Sequence, residues 1–146
     1  MDKTVILTVG LPYSGKTTWA KEYAKTHNTP VVNIDSIRMA TYGRKFESLA
    51  EGLVWSIAKI MVRSLFFAGH DYVIVDSHNM TMRSRVTWTT EPTWKVMYKV
   101  FETSPDICKQ RARENELDTS KMVSFIDNMV KNFDVLSEND SFLDDE

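Results

Sequence analysis

Apolar residues along this chain switch between two spacings. Short continuous runs rich in β-branched residues alternate with longer stretches where apolar positions recur every three or four residues. Lys3 to Val9 reads as a buried strand, and a helix is expected from about Gly15 to about Thr26. Thr29-Pro30 interrupts it, and Val31 to Ile34 forms a second strand ending at Asp35. From Phe46 to Ala68 the positions Phe46, Leu49, Ala50, Leu53, Val54, Ile57, Met61 and Leu65 keep helix spacing, with Gly69 placed to end the helix. Tyr72 to Val75 is a third strand, delivering Asp76 to its C-terminal end. A short helix is expected from Met80 to about Thr90, and a fourth strand from Trp94 to Glu102, with Trp94, Val96, Tyr98 and Val100 on one side. Ser104-Pro105 is a helix start, with Ser104 at the N-cap and Pro105 at the first helical position, and a last helix runs from about Thr119 to Phe133.

Strands alternating with helices predict an α/β fold: three layers, a central parallel sheet of four to five strands with helices on both faces and right-handed crossovers. Ligands of such sheets bind beyond the C-terminal ends of the strands. The segment Gly10–Thr17, Asp35 and Asp76 all follow predicted strands and so converge on that edge.

Length and composition narrow the class. The chain has 146 residues, enough for one domain with a real core, and its 42% hydrophobic and 26% charged residues are ordinary for a soluble globular protein. No apolar run approaches a membrane span, so no membrane partner is expected, and the N-terminus reads as a strand rather than a leader. The single cysteine, Cys108, excludes an internal disulfide framework and fits a reducing, cytoplasmic compartment. The net charge of −2 argues against wholesale binding to duplex nucleic acid, though not against a local basic groove. Five acids lie in residues 137–146, and the rest of the chain carries +3 by count. Residues 1–136 are therefore taken as the domain and 137–146 as a frayed, flexible acidic tail.

Gly10-Leu11-Pro12-Tyr13-Ser14-Gly15-Lys16-Thr17 matches G-x-x-x-x-G-K-[ST], and a strand precedes it and a helix follows. Glycines let backbone N–H groups close on phosphate oxygens, and the helix start adds free donors. With Thr18, the loop is expected to cradle the β- and γ-phosphates of a nucleoside triphosphate, Lys16 reaching them and the Thr17 hydroxyl facing Mg²⁺. Asp35 is either a general base on an attacking hydroxyl or a helix cap. Arg38, if a helix starts at Ser36, either grips a phosphate of the acceptor or is a surface charge. Asp76 has the form of a Walker B acid serving Mg²⁺, with a helix N-cap or a pairing to Arg83 or Arg85 as the alternative. Lys109, Arg111 and Arg113 crowd three cations into five residues, either a lid closing on the triphosphate or a solvated helix face. His27, His70 and His78 are too scattered for a zinc site, and Trp19, Trp55, Trp88 and Trp94 are expected to be core or half-buried.

Several motifs together resemble one family. The segments Ile6–Gly10, Gly15–Ala20, Asn33–Arg38, Val73–Asp76 and Lys99–Phe101 before the basic cluster make residues 3 to 130 similar to the kinase half of phage-type 5′-polynucleotide kinases, in the adenylate-kinase-like branch of P-loop phosphotransferases. The resemblance implies ATP and Mg²⁺ as cofactors, and transfer of the γ-phosphate to the 5′-hydroxyl end of single-stranded DNA or RNA, as in nucleic-acid end repair. For a phage-encoded member the compartment is the host cytoplasm. It implies Asp35 as general base, Arg38 on the phosphate 3′ of the accepting nucleoside, and Asp76, with His78 and Asn79, on the acceptor side. In the basic cluster, with a small helical lid at about 106–118, Arg113 fits the lid arginine best, while Lys109 stands where a further arginine is common. Ser77-His78-Asn79 departs from the family, which places an Asn one position earlier, and the 146 residues leave no room for the phosphatase domain often fused to it. Kinases of a nucleoside or sugar, or of hydroxymethyl groups on modified DNA bases, share the loop, and so do nucleotide-binding modules without activity. A homo-oligomer is left open.

Overall fold

The computed structural model describes residues 2–43 and 50–145. The elements in chain order are β1 (Thr4–Val9), α1 (Lys16–His27), β2 (Val31–Asn33), α2 (Ile34–Tyr42), α3 (Glu51–Phe67), β3 (Tyr72–Asp76), α4 (Met82–Thr89), β4 (Lys95–Val100), α5 (Pro105–Asn115) and α6 (Thr119–Lys131). The four strands are parallel, in the order β2-β3-β1-β4. This is the α/β architecture the spacing predicts.

The two-residue period of β1 sorts its side chains between two cores. Val5, Leu7 and Val9 face the larger one, against Val54, Ala58 and Val62 of α3, Trp88 of α4, Cys108 and Ala112 of α5, and Ile126 of α6. Ile6 faces the smaller one with Ile74 of β3 and Ala20 of α1, flanked by Trp19 and Tyr23. Burial on both faces explains why β1 reads as a continuous apolar run. Val96, Tyr98 and Val100 of β4, with Trp94 just before it, share the larger core, as the alternation predicts.

Two local expectations are corrected, and a third lies partly outside the described residues. Strand β2 stops at Asn33, and Asp35 lies in the first turn of α2, not at a strand end. The reason is a cap: the Asn33 side chain accepts the backbone N–H of Ser36 at 2.8 Å, starting the helix at Ile34 rather than Ser36. The helix expected from Phe46 is described from Glu51 to Phe67; positions 46 to 49 lie outside the described residues, and Gly69 takes the left-handed conformation (φ 111°) just past its end. Finally, the acidic tail is docked. Tyr98 N–H donates to Ser141 O and Leu143 N–H to Tyr98 O, both at 2.9 Å, so residues 141–143 lie parallel to β4. Leu143 packs into the smaller core, and Asp145 accepts from Lys99 Nζ (2.9 Å) and Trp19 Nε1 (2.6 Å). The physical cause is the outer edge of β4, whose backbone groups need partners, with a lysine beside it that recruits an acid.

Candidate active site

The glycine loop joins β1 to α1 and is shaped by close approach. A Cβ on Gly10 would sit 2.7 Å from Ser14 Oγ and 3.0 Å from Phe101 Cβ, so any larger residue would have to push both aside. Gly15 holds φ 101° where α1 begins. Tyr13 takes the left-handed region too (φ 64°), and two bonds to the α5 region hold it: its hydroxyl donates to Glu116 Oε2 at 2.6 Å, and its carbonyl accepts Arg111 Nη1 at 2.9 Å. Burial and the neighbouring Glu116 push the Tyr13 phenol up to about 12, so it stays a donor. Thr103 Oγ1 donates to Ser14 O at 2.9 Å, a third tie between the loop and the segment leading to α5.

Lys16 is buried, and its ammonium donates to Leu11 O and, at 3.3 Å, to Ser14 Oγ. Thr17 Oγ1 donates to Asp76 Oδ2 at 2.8 Å, and Asn33 Nδ2 donates to the same oxygen at 2.8 Å. That junction follows from register, because Asn33 and Asp76 are paired neighbours across β2 and β3. Asp76 therefore serves Thr17 and Asn33, and the Arg85 pairing is not formed. Arg85 is buried and donates instead to three carbonyls, Asn79 O (2.8 Å), Met80 O (3.0 Å) and Asp134 O (2.6 Å), bracing the loop after β3.

Asp35 and Arg38 are one helical turn apart on α2 and form an ion pair, Nη1 to Oδ1 at 2.6 Å. Arg38 is also held by Glu51, Nε to Oε2 at 2.9 Å and Nη2 to Oε1 at 2.6 Å. Burial alone would lower the guanidinium, but the bonds to Glu51 and Asp35 outweigh it and hold Arg38 above its ordinary range.

These groups open on one cleft of about 1820 Å³ whose walls include Pro12, Tyr13, Gly15, Lys16, Thr17, Thr18, Asp35, Arg38, Asp76, His78, Asn79 and Arg111. Gly10, Leu11 and Ser14 are buried beneath it as the frame of the loop. Trp88 and Trp94 are buried in the core, whereas Trp19 and Trp55 are half-buried and also line the cleft. The far wall is α6, with Ser120, Ser124 and Asn128 at four-residue spacing beside Phe125. That polar stripe was not read from the sequence, although its spacing was visible there.

Three predicted residues need relocation. Arg113 is exposed and is not part of the cleft wall; Arg111 is, because the burial of Cys108 and Ala112 sets the phase of α5. Lys109 pairs with Asp127 and ties α5 to α6 away from the cleft wall. Asn79 reaches the wall, but its amide nitrogen donates to Thr8 O at 2.8 Å, so it latches the loop onto β1. His78 is at the wall with its ring edge on Phe125 (6.0 Å), and its carbonyl accepts Gly10 N–H at 3.0 Å. Sequence reading missed Asn33, Glu51, Tyr13–Glu116 and Thr8, whose hydroxyl bonds Ser77 O at 2.7 Å and Ser77 N at 3.0 Å.

The donor set suits a magnesium ion. Thr17 and Asp76 bring a hydroxyl and a carboxylate oxygen within 2.8 Å of each other, and no group of three His, Cys, Asp or Glu side chains forms a metal cage among the described residues. Magnesium commonly takes one or two protein oxygens and fills its shell with phosphate and water. No helix among the described residues is long and apolar enough to cross a membrane.

The fold recurs in known structures. A chain of the Pnkp1/Rnl/Hen1 complex is 25% identical with a TM-score of 0.67, over 82% of this chain and 42% of that one. A chain of the Pnkp1/Rnl/Hen1 RNA repair complex is 21% identical, again at 0.67, over 91% of this chain and 47% of that one. This chain thus spans less than half the length of either. A sugar kinase from Janibacter sp. HTCC2649 shares the fold at 16% identity and a TM-score of 0.70, over 98% of this chain and 84% of that one. Residues 5–136 match the AAA domain family AAA_33, so the chain belongs to that family, as a P-loop kinase domain.

Proposed function

We propose that this kinase transfers the γ-phosphate of ATP to the 5′-hydroxyl of DNA or RNA. The observation that carries this reading is the pairing of Asp35 with Arg38 on the wall facing Lys16 and Thr17. A carboxylate able to take a hydroxyl proton stands beside a guanidinium able to hold a phosphate, as a 5′-terminal nucleotide requires. Arg38 has five N–H donors, of which Glu51 and Asp35 use three, and among the described residues the other two have no partner. The cleft also exceeds the roughly 300–1,000 Å³ of an ordinary small-molecule pocket, giving room for donor and acceptor together.

In this mechanism the loop N–H groups and Lys16 hold the donor phosphates, and Asp35 accepts the proton of the acceptor hydroxyl as its oxygen bonds to the γ-phosphorus. The bond from that phosphorus to the β-bridging oxygen breaks, and ADP departs with the electron pair. Arg111, across the loop, neutralises charge on the transferring group. Thr17 and Asp76 are the residues that would hold magnesium, which when bound screens the phosphate charge. The deciding experiment is transfer of labelled γ-phosphate to a panel of 5′-hydroxyl DNA and RNA oligonucleotides, nucleoside 3′-monophosphates, free nucleosides, sugars and hydroxymethylated DNA. Label is expected on the oligonucleotides and the 3′-monophosphates. Label confined to free nucleosides, sugars or hydroxymethyl bases would overturn the assignment.

Donor binding carries its own pH signature. Burial pushes Lys16 down to about 8, with Asp76 and Asp35 pulling the other way. Phosphate binds the charged form, so above about pH 8 a proton must enter with the nucleotide. ATP affinity then falls as pH rises, by up to about tenfold per unit. Calorimetry with a non-hydrolysable analogue near pH 9, in two buffers of different ionisation heat, should show proton uptake by the wild type and none by Lys16→Met. Equal heats in both buffers for the wild type would contradict it. The same burial predicts that folding gains stability as pH climbs from about 8 towards 10.5, because there the unfolded chain holds the lysine proton that the folded chain has released.

A further inference from the structure

Arg38 is gripped unequally. Glu51 takes two of its N–H groups in a side-on fork, through Nε and Nη2, whereas Asp35 takes one, through Nη1. The exposures differ in the same sense: the Glu51 side chain is 21% exposed, Arg38 14% and Asp35 46%. Glu51 also sits in the first turn of α3, where free N–H groups and the helix dipole favour a carboxylate. α3 is fixed by Val54, Ala58, Val62 and Phe66 in the main core, so Glu51 is mounted on a rigid element.

We propose that Glu51 is the positioning residue of the acceptor site: it anchors Arg38 while an incoming acceptor phosphate takes the place of Asp35 on Nη1, and that exchange frees Asp35 to act as base. The inference rests on the acceptor reading given above. Among the described residues, two carboxylates around one guanidinium make a net negative cluster, and adding a phosphate without releasing either would place three anions on that one cation. The partner held by one bond and open to water leaves first; the forked, less exposed one stays. Asp35 is then released only when a phosphate-bearing acceptor is bound, and the hydroxyl proton passes to a carboxylate no longer paired with Arg38. Water, which brings no phosphate to Arg38, leaves the base engaged, which limits wasteful hydrolysis of ATP.

The test compares wild type with Glu51→Gln, and Glu51→Asp as a conservative rescue, on a nucleoside 3′-monophosphate and on the same nucleoside without its phosphate. Glu51→Gln should raise KM for the phosphorylated acceptor about tenfold or more, leave kcat within about threefold, and leave KM for ATP and for the bare nucleoside unchanged. Equal losses on both acceptors, or a raised KM for ATP, would reduce Glu51 to a structural support and overturn the proposal. A second readout needs no acceptor. The Arg38 Nε–H signal in ¹⁵N NMR should exchange with solvent slowly in the wild type and in Asp35→Asn, and at least about tenfold faster in Glu51→Gln. Unchanged protection in Glu51→Gln defeats the anchor whatever the acceptor. If the wild type labels neither oligonucleotides nor 3′-monophosphates while that protection behaves as expected, the polynucleotide reading fails and the anchor on Arg38 stands.

Discussion

Asp35→Asn should lower kcat for phosphoryl transfer by on the order of 10³-fold while changing ATP affinity less than about tenfold. The asymmetry follows from where Asp35 stands. It is on α2, across the cleft from the loop, and among the described residues its side chain is hydrogen-bonded to Arg38 Nη1 at 2.6 Å. In the proposed mechanism the donor phosphates are held by loop N–H groups and Lys16, and the bonds of Lys16 and Thr17 go to Leu11, Ser14 and Asp76 rather than to Asp35. Asparagine keeps the shape and an acceptor oxygen for Arg38, so α2 and the Arg38–Glu51 fork should survive, but an amide cannot take the hydroxyl proton. Single-turnover transfer to a 5′-hydroxyl oligonucleotide, with nucleotide affinity measured separately, separates the two effects. Transfer at the wild-type rate would remove Asp35 from the chemistry. A parallel collapse of ATP affinity would mean that Asp35 acts on the donor side.

How much of this could be read from sequence depends on how far apart the cooperating residues lie. The loop from Gly10 to Thr17 is contiguous, and its flanking strand and helix carry their own periodicities, so sequence alone located it. Asp76 was legible for the same reason: a run of β-branched residues ends on an acid. What escaped was assembled by pairing. Asn33 reaches Asp76 only because β2 and β3 pair in a register that sets them side by side. Its second role, capping α2, moved Asp35 from a strand end into a helix. Glu51 reaches Arg38 from thirteen residues away, on a different helix, and no local pattern marks it. The tail misled because composition reports charge but not edges: its acids looked like solvated ends, while β4 offered unpaired backbone and Lys99 offered a countercharge. In each case the missing information was tertiary geometry between segments whose local structures were mostly read correctly.

The basic cluster shows the same limit, and it yields the second large effect. Arg111→Ala should lower kcat by on the order of 10²-fold or more, while Arg113→Ala should stay within about threefold of wild type. By sequence the two are nearly equivalent, since both are arginines in a run of cations. On a helix they point about 200° apart, and the burial of Cys108 and Ala112 fixes which one turns to the loop. Arg111 donates to Tyr13 O at 2.9 Å and forms part of the cleft wall, so its charge already stands beside the phosphate cradle. Arg113 is exposed in the last turn of α5, where it complements the helix dipole, a role worth only a few tenths of a kcal/mol to about 1 kcal/mol of stability. Lys109, committed to Asp127, should behave as a tie between α5 and α6: its loss would show in the melting temperature more than in kcat. Rates for the two arginine variants under saturating ATP and acceptor decide between them. A deep loss in Arg113→Ala with Arg111→Ala unaffected would mean that α5 rotates or shifts by about half a turn when the lid closes on nucleotide, and that the loop contact of Arg111 belongs only to the free protein.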